Sequence, residues 1–342
     1  IKAKSDAEAA LSNNDGTAMF NALKAIAASN TEVLASVALF AKLQAANEAL
    51  QELINNSANE EAINEAGALY EEIDGNLQDY AYDDSDVEGL LLQIKELRTK
   101  LRLPADYAEA SSLNPIDVTD IIDTPDFEDG EGSNSVDGWN ADGYNFGNDD
   151  DQKSALALEF YNKAFDLNQD ILGLPNGKYV VTVNAFARLD EEKTNPVYLY
   201  ANNKEVELMD LDETSGINSM VTAVEAFTEG EYLNELEVVV TNNKLTIGIK
   251  KETNETNTSD WVIMDNWTLT YYGVSSVEGD VNLDGSVDVA DITSILGVMA
   301  GTATYDKADV NGDSVVDVAD ITSVLDIMKA NARAKGIVID EE

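Results

Sequence analysis

The chain has 342 residues, which is enough for two or three domains that each bury an apolar core. It contains no Cys and no His, and this excludes disulfide frameworks, Cys/His zinc sites, thiol nucleophiles and histidine acid–base chemistry. Its 66 Asp and Glu against 21 Lys and Arg give a net charge of -45, which repels phosphate backbones and anionic membrane surfaces. We therefore expect divalent cations as partners and no nucleic acid.

No segment of the sequence has the pattern of a membrane span or of a signal peptide. No run of about eighteen consecutive apolar residues occurs, and Ile1 is not followed by a basic segment and then an apolar one. We therefore expect no membrane insertion and no signal peptide within this chain. A location outside the cell has to be inferred from the domains themselves.

The first segment, residues 1–113, has the apolar period of amphipathic helices. Apolar residues recur at steps of three and four over residues 63–80 and 87–101. A third apolar stripe, in a run that begins near Thr31, comprises Leu39, Leu43, Ala46, Leu50 and Leu53. Three or four such helices can share one core, so the segment is predicted to be a small α-helical bundle that acts as a spacer.

Helix ends in this segment are marked by polar residues and proline. Ser57 with Glu60, and Ser85 with Glu88, match the capping-box pattern in which a hydroxyl and a carboxylate bind the free amides of the first turn. Pro104 is expected to end the last helix, because proline cannot continue the hydrogen-bonding pattern.

Residues 114–274 change to a period of two, which is typical of strands. Residues 179–188 alternate directly after a Leu-Pro-Asn-Gly turn, and further strands are predicted over 156–161, 197–201 and 261–271. Two apolar runs on either side of Asn242 and Asn243 predict a β-hairpin. Many short strands without intervening helices predict an all-β sandwich of two sheets.

Several short motifs in this segment carry a resemblance to a known family. They are Asp126-Phe127-Glu128, Gly138-Trp139, the turn at 173–177 and the closing strand at 261–271. With them, the segment resembles the jelly-roll carbohydrate-binding modules of the galactose-binding-like class. The resemblance implies a jelly-roll fold and an oligosaccharide or polysaccharide ligand. It also implies a structural calcium ion at Asp126, Glu128 and Asp265, where similar jelly rolls join their first and last strands.

Candidate ligand-binding residues lie in a loop rich in Gly, Asn and Asp. Trp139, Tyr144 and Phe146 occur there without a periodicity that would require core aromatics. Aromatic faces bind the apolar C–H surface of sugar rings, so these three are the predicted contacts, although they also suit a cover for the sandwich edge. Arg188, at the end of a strand, is a candidate donor to sugar hydroxyls; a salt bridge is the alternative.

Two acidic segments near the C-terminus repeat one spacing, 29 residues apart. The first set of candidate ligands comprises Asp280, Asn282, Asp284, Ser286, Asp288 and Asp291. The second set comprises Asp309, Asn311, Asp313, Val315, Asp317 and Asp320. These occupy positions 1, 3, 5, 7, 9 and 12 of a twelve-residue loop, the spacing that wraps oxygen atoms around one Ca²⁺, with position 7 supplying a backbone carbonyl.

Each loop leads directly into a helical sequence, Ile-Thr-Ser-Ile-Leu or Ile-Thr-Ser-Val-Leu, and position 12 is Asp. A duplicated loop and exiting helix without an entering helix resembles a dockerin, so residues 275–342 are identified as a dockerin-like α module with two Ca²⁺ ions. Position 6 of the second loop is Ser314, where a tight turn favours Gly, and this loop is expected to bind Ca²⁺ more weakly.

The dockerin resemblance implies docking into a cohesin-like scaffold through loop positions 10 and 11. These are Val289-Ala290 and Val318-Ala319, which are apolar where several dockerins have hydroxyl residues. The connection from Val274 to Glu278 is also short for a flexible tether. The alternative is an intramolecular role, in which the apolar residues of the two helices pack within the module or against the sandwich.

The function predicted from these segments is a non-catalytic, secreted glycan-binding or accessory protein of a polysaccharide-degrading bacterium, acting as a monomer outside the cell or on its surface. Two alternatives remain open. One is a fragment of a glycoside hydrolase, because paired carboxylates suffice for that chemistry, although no segment is left for a catalytic domain. The other is a structural or adhesive surface protein without a glycan ligand.

Overall fold

The structure, a computed structural model, describes residues 2–13, 16–78, 81–189, 196–212, 214–252, 260–274, 278–283 and 286–334. The chain divides into two compact units, Ile1–Leu101 and Arg102–Glu342. The first unit is α-helical. The second contains a β-sandwich and, at its C-terminal end, two further helices.

The described part of the first unit contains four helices, and the last three of them share one apolar core. They are α1 (Lys2–Ser12), α2 (Gly16–Asn56), α3 (Glu60–Gln78) and α4 (Asp84–Arg102), the last of which ends one residue into the second unit. The stripes predicted from the sequence meet in this core, which confirms the helical bundle. Its buried members include Leu43, Leu50, Ala66, Ile73, Val87 and Ile94.

The helix starts differ from the predicted capping boxes. Asn59 caps α3, because its Oδ1 accepts a backbone N–H of the first turn at 3.2 Å, while the hydroxyl of Ser57 donates to the carbonyl of Leu101 at 2.7 Å. At α4, Asp83 and Asp86 each accept the other's backbone N–H, at 3.0 and 2.9 Å. The serine caps were therefore wrong, since Asn59 and Asp83, which directly precede the two helices, bind the free amides instead.

Helix α2 begins at Gly16, well before the start predicted near Thr31. Its first half leaves large apolar side chains exposed, among them Phe20, Leu23 and Leu34. The stretch Thr17–Asn56 is long and apolar enough, by length and composition only, to cross a membrane, and signal sequences and core helices share these two properties. The expected absence of membrane insertion therefore stays a prediction.

In the part of the chain that the structure describes, the β-sandwich has nine strands in two antiparallel sheets. The strands are β1 (Ile116–Asp117), β2 (Leu158–Tyr161), β3 (Phe165–Leu172), β4 (Gly177–Arg188), β5 (Tyr198–Ala201), β6 (Lys204–Glu207), β7 (Leu233–Val240), β8 (Lys244–Lys251) and β9 (Trp261–Tyr271). One sheet has the order β1-β9-β4-β7, with β2 also paired to β9, and the other has the order β3-β8-β5-β6. Four of these strands match the predicted ones closely, and the sandwich architecture is confirmed.

The hairpin predicted around Asn242 and Asn243 does not form. Strand β7 pairs with β4, whereas β8 pairs with β3 and β5, so the connection crosses from one sheet to the other. Asn243 has a φ of 57° and its side-chain amide donates to the carbonyl of Leu174 at 2.6 Å. The turn chemistry was recognised correctly, but contacts with the 173–177 turn decide which sheet each strand enters.

The sandwich core begins earlier in the chain than the predicted boundary at residue 113. Leu103 is buried in this core, and Tyr107 and Ala110 pack against it. Arg102 forms an ion pair with Asp123 at 2.5 Å. Residues 102–113 therefore belong to the second unit, because Leu103 is buried in the sandwich core and Tyr107 and Ala110 pack against it.

Two short helices decorate the sandwich, and the sequence analysis missed both. They are α5 (Asp150–Lys153) and α6 (Met220–Thr228). Helix α6 starts at a capping box formed by Ser219 and Thr222 and packs onto the outer face of the first sheet. The aromatic residues of this outer cluster are Phe186, Phe227, Tyr232 and Trp261. The helix thus covers part of the outer face of the first sheet.

The C-terminal helices are α7 (Val289–Met299) and α8 (Val318–Ala334), and each follows one acidic segment. They enclose a small core of Val281, Ile295, Ala308 and Val324. In the alternative intramolecular role the apolar residues of these helices would pack inside, but Leu296, Met299 and Leu325 are exposed. The link from 275 to 277 lies outside the described residues.

A buried ion pair generates a stability prediction. Lys251 and Asp260 are both buried and form a short contact at the ends of β8 and β9. We expect Asp260→Asn to lower the free energy of unfolding by about 3–5 kcal/mol, because the lysine charge loses its compensating carboxylate. Denaturant unfolding followed by tryptophan fluorescence measures this, since all three tryptophans lie in the second unit.

The matched control replaces both partners, Lys251→Met with Asp260→Leu. This pair should recover most of the lost stability, because a well-packed apolar pair often substitutes for a buried salt bridge without loss. Equal destabilisation of the single and double variants would contradict the role assigned to the ion pair.

Candidate functional site

Three side chains form a row where strands of the first sheet end. Tyr161, the last residue of β2, lies opposite Trp261, the first residue of β9, and Trp261 lies opposite Arg188, the last residue of β4. Residues directly opposite in antiparallel strands point to the same face. The row therefore projects from the outer face of the sheet, the face on which α6 packs.

The centre of the row is held by a buried carboxylate. Glu159 accepts a hydrogen bond from the indole Nε1 of Trp261 at 2.7 Å through one oxygen and from Nδ2 of Asn145 at 2.9 Å through the other. The guanidinium of Arg188 lies 5.1 Å from the centre of the Trp261 ring, in cation–π contact. Tyr161 is 50% exposed, so it is the open aromatic surface of the row.

A cavity of about 300 Å³ opens above this row. Asn218, Ser219 and Met220, at the start of α6, line one side. The segment that leads into and through α5 lines another side with its amide side chains. Its contributors are Asn145, Asn148 and Gln152. Backbone hydrogen bonds of 2.9 Å in both directions between Asn145 and Glu159 fix this segment against β2.

The α5 segment is also fixed by its own side chains. The N–H of Gln152 donates to Asp149 Oδ1 at 2.9 Å, and the N–H of Asn148 donates to Gln152 Oε1 at 3.1 Å. Amides, a hydroxyl, a guanidinium and an exposed phenol thus surround one small cavity. This combination can hydrogen-bond a polyhydroxylated ligand and cover one of its apolar faces.

The predicted aromatic contacts are placed differently. Trp139 is only 8% exposed. Its ring packs between those of Phe127 and Trp267, with ring centres 5.6 and 4.9 Å away, respectively. Its indole N–H donates to the carbonyl of Thr124 at 3.2 Å. It is a core residue, although the sequence of its loop has no periodicity that would require a core aromatic. The Gly/Asn/Asp-rich composition indicated a loop, but it did not show that the loop folds inward.

Tyr144 and Phe146 lie at the surface of the same loop. Their rings meet edge to face at 5.3 Å, Tyr144 is 36% exposed, and Phe146 packs partly against the sandwich core. Neither lines the cavity described above, whereas their neighbour Asn145 does. Their role in ligand binding stays a prediction.

Of the four predicted ligand contacts, Arg188 alone lines the cavity. Sequence reasoning missed Tyr161 and Glu159 as cavity residues, and it included Trp261 only as part of the strand predicted over 261–271. The period of two correctly predicted the strands that carry these residues. What it lacked was the pairing register, which brings three strand ends into one row.

The acidic segments share one hydrogen-bonding pattern around position 12. In the first segment Asp291 accepts backbone N–H groups from Val281, Asn282 and Asp288 at 2.7, 3.1 and 2.9 Å. In the second segment Asp320 accepts them from Val310, Asn311 and Asp317 at 2.8, 3.1 and 2.8 Å. Both carboxylates are fully buried. The duplicated spacing in the sequence thus corresponds to a duplicated local structure.

Electrostatics differ between the two copies. Burial raises the pKa of Asp291, and the neighbouring Asp280 adds to the rise. At Asp320 burial is the largest single influence, but the accepted N–H bonds together outweigh it and lower the pKa. In the second loop the N–H groups of Asp313 and Ser314 also donate to Asp309, at 3.0 and 2.8 Å.

Position 6 of the second loop has the predicted conformation. Ser314 has a φ of 69°, in the left-handed region that favours glycine, which confirms that this turn strains a serine. Asp284 and Gly285, at positions 5 and 6 of the first loop, lie outside the described residues.

A third acidic group surrounds the start of the sandwich. Asp126 Oδ1 accepts the N–H of Glu128 at 3.2 Å, and Asp265 Oδ1 accepts the N–H of Asn266 at 2.8 Å. Burial raises the pKa of Asp265 to about 8, and the charges of Asp126 and Glu128 contribute to the rise. Burial, with Asp126 and Asp129, also raises the pKa of Glu128. The three predicted ligands thus lie close enough together for the charges of Asp126 and Glu128 to raise the pKa of Asp265.

Metal binding by these groups stays a prediction. Among the described residues, no three Asp or Glu side chains are gathered closely enough to hold an ion by themselves. The donors available in each loop are carboxylate, amide and backbone oxygens, which are the ligands that Ca²⁺ prefers, and backbone carbonyls are part of the predicted set. The residue types therefore fit calcium.

Comparisons with known proteins identify no family: no family model and no curated protein matches the chain. The chain is similar to TmCBM61, solved in complex with β-1,4-galactotriose, with 17% identity, 44% of this chain and 97% of that chain covered, and a TM-score of 0.29. It is also similar to TmCBM27, a carbohydrate-binding module described for mannan recognition, with 12% identity, 46% and 98% coverage, and a TM-score of 0.22.

A further similarity is to BtGH115A, a 4-O-methyl-α-glucuronidase with specificity for decorated arabinogalactans. Identity is 13%, the match covers 35% of this chain and 14% of that chain, and the TM-score is 0.23. Similarities at these scores do not identify a ligand for this chain.

The position of Trp139 generates a prediction. Trp139→Ala should lower the free energy of unfolding by roughly 3–5 kcal/mol, because it leaves a cavity between Phe127 and Trp267. The control in the same loop is Tyr144→Ala, which should cost less than about 1 kcal/mol because the ring is partly exposed. Thermal or denaturant unfolding measures both, and a Trp139 variant of wild-type stability would contradict its place in the core.

Proposed function

We propose that the sandwich is a non-catalytic glycan-binding module, and that the cavity over the row Tyr161–Trp261–Arg188 is its binding site. The observation that carries this proposal is the row itself, in which an exposed tyrosine, a fixed guanidinium and several amides face one cavity. Secretion and an accessory role in polysaccharide breakdown belong to the same proposal.

The chemistry of the cavity suits a sugar. A pyranose ring has one relatively apolar C–H face and a rim of hydroxyl groups that donate and accept hydrogen bonds. Tyr161 offers a ring to the apolar face, while Arg188 and Gln152 offer donors to hydroxyl oxygens. Because Glu159 and Trp261 already hold one another, the polar groups around them keep fixed positions when a ligand arrives.

The number of carboxylates at the cavity supports binding and not catalysis. Glycoside hydrolysis requires two carboxylic acids on opposite sides of the scissile bond, roughly 5–10 Å apart. Among the described residues that line the cavity, Glu159 is the single acid, and both of its oxygens accept hydrogen bonds from the protein. A nucleophile or a proton donor needs an oxygen that is available to the substrate.

The repeated acidic loops support a second role, as a calcium-stabilised, dockerin-like module. In both loops the carboxylate at position 12 is buried and accepts backbone N–H groups from three corresponding positions. This shared arrangement favours a common ligand over accidental acidic turns. Each loop concentrates carboxylates whose mutual repulsion a divalent cation would neutralise. Such modules work where Ca²⁺ is abundant, which is consistent with a location outside the cell.

The exposed apolar residues of this module suit docking. Val289 and Val318, at position 10 of the two loops, are 65% and 63% exposed, and Leu296 and Leu325 are exposed about two turns further along the helices. A cohesin-like scaffold is the partner that we propose for this duplicated surface. A third calcium ion at Asp126, Glu128 and Asp265 is proposed for the sandwich, where a bound cation would favour the ionised form of Asp265, whose pKa burial raises.

Glycan binding is tested by variants of the row. Tyr161→Ala and Arg188→Lys should each weaken binding at least about tenfold, or ~1.4 kcal/mol, because the stacking surface or the guanidinium fork is lost. Affinity electrophoresis in β-1,4-galactan, mannan and arabinogalactan provides the measurement. The matched control is Tyr198→Ala, a partly exposed tyrosine in β5 of the other sheet, which should bind as wild type.

Loss of binding in Tyr198→Ala to the same extent would place the ligand elsewhere on the sandwich. Absence of retardation of the wild-type chain in all three polysaccharides would contradict glycan binding itself. Thermal melts of each variant separate a binding defect from unfolding.

Calcium binding is tested by calorimetric titration. We expect two ions in the C-terminal module and a lower melting temperature in chelator. Ser314→Gly should raise the Ca²⁺ affinity of the second loop about fivefold, because glycine removes a positive-φ strain of ~1 kcal/mol. Ser314→Ala should leave the Ca²⁺ affinity of this loop unchanged. A melting curve that chelator does not shift, with no heat of calcium binding, would contradict the calcium module.

A further inference from the structure

We propose that the cavity takes the terminal sugar of a glycan chain and does not admit an internal stretch of the polymer. This inference rests on the proposed glycan binding and specifies the class of ligand. It follows from how the cavity is closed, from its volume and from its place at the ends of three strands.

The cavity is closed on its inner side by α6. Directly behind the row, the next residue of β9 on the same face is Ile263, which is fully buried beneath the helix. Met220, which lines the cavity, is 1% exposed, and Ala223, one turn further along α6, is also fully buried. A polymer lying across the row therefore meets the packed interface between helix and sheet and cannot continue along the sheet face.

The cavity opens where the strands end. Tyr161 and Arg188 are the last residues of β2 and β4, and Trp261 is the first residue of β9, so the row marks one limit of the sheet. The start of α6 and the α5 segment stand on two sides. A site with a floor, two walls and a closed back accepts the end of a chain and directs the remainder outward.

The volume suits one sugar residue. About 300 Å³ lies at the lower limit of the volumes typical of small-molecule pockets, roughly 300–1,000 Å³. This small volume suits one sugar ring at the inner end of the cavity, with the rest of a longer chain extending toward the opening. Tyr161, the half-exposed member of the row, is placed to contact the ring at the opening.

The experiment uses the full chain and compares intact with partly hydrolysed polysaccharide. β-1,4-Galactan, mannan and arabinogalactan are each cleaved with an endo-acting hydrolase until chain ends are about tenfold more abundant at constant mass. For every polymer that binds, the apparent affinity per unit mass should rise about tenfold, or ~1.4 kcal/mol, because the number of sites follows the number of ends. Tyr161→Ala should abolish this rise, and Tyr198→Ala should keep it.

Affinity that stays constant or falls on hydrolysis, while the intact polymer binds, overturns terminal recognition and leaves glycan binding standing. An affinity that continues to climb more than about tenfold from di- to hexasaccharide has the same meaning, because only internal contacts grow with length. If no polymer binds in either form, glycan binding fails, and terminal recognition fails with it.

Discussion

The hydrogen bond from the indole N–H of Trp261 to Glu159, at 2.7 Å, is the interaction on which the candidate site depends. It joins β2 to β9 at their ends, and the second oxygen of Glu159 holds Asn145 and so positions the α5 segment. Arg188 stacks on the same indole ring. One buried carboxylate therefore arranges an aromatic side chain, a cation and an amide, and leaves Tyr161 open beside them. A buried acid that is fully hydrogen-bonded serves as a scaffold, and this suits a site that binds without reacting.

The outer face of the first sheet serves two purposes at once. Along most of its length the face buries apolar side chains beneath α6, and at the strand ends it carries the polar row. The same helix that completes the hydrophobic cover also closes the cavity from behind. Stability and ligand shape are thus coupled, since a change that loosens α6 enlarges the cavity. In the C-terminal segment the same loop structure occurs twice, and each copy places a buried carboxylate at the start of its helix.

Acidic residues occur throughout the chain, but their burial and hydrogen bonding differ between the helical unit, the sandwich and the C-terminal loops. In the helical unit the carboxylates are mostly exposed and solvated, and Asp83 and Asp86 cap a helix. In the sandwich, Asp265 is buried near two other acids, and its pKa rises to about 8. In the C-terminal loops, acids are bound to backbone amides. The net charge of -45 therefore indicates hard cations as a class of partner, while the local packing distinguishes which acids are suited to hold one.

The sequence by itself determined the helical unit, the sandwich and the repeated acidic loops, because apolar period and ligand spacing are local properties of the chain. It also located the strand that ends in Arg188. Only the tertiary structure decided that Trp139 is buried, that β7 and β8 enter different sheets, and that Tyr161, Trp261 and Arg188 share one row. These facts depend on pairing between strands up to about a hundred residues apart, and on a helix, α6, that the strand pattern did not predict. No local pattern records which strand ends meet, since register is settled by packing across the whole sheet.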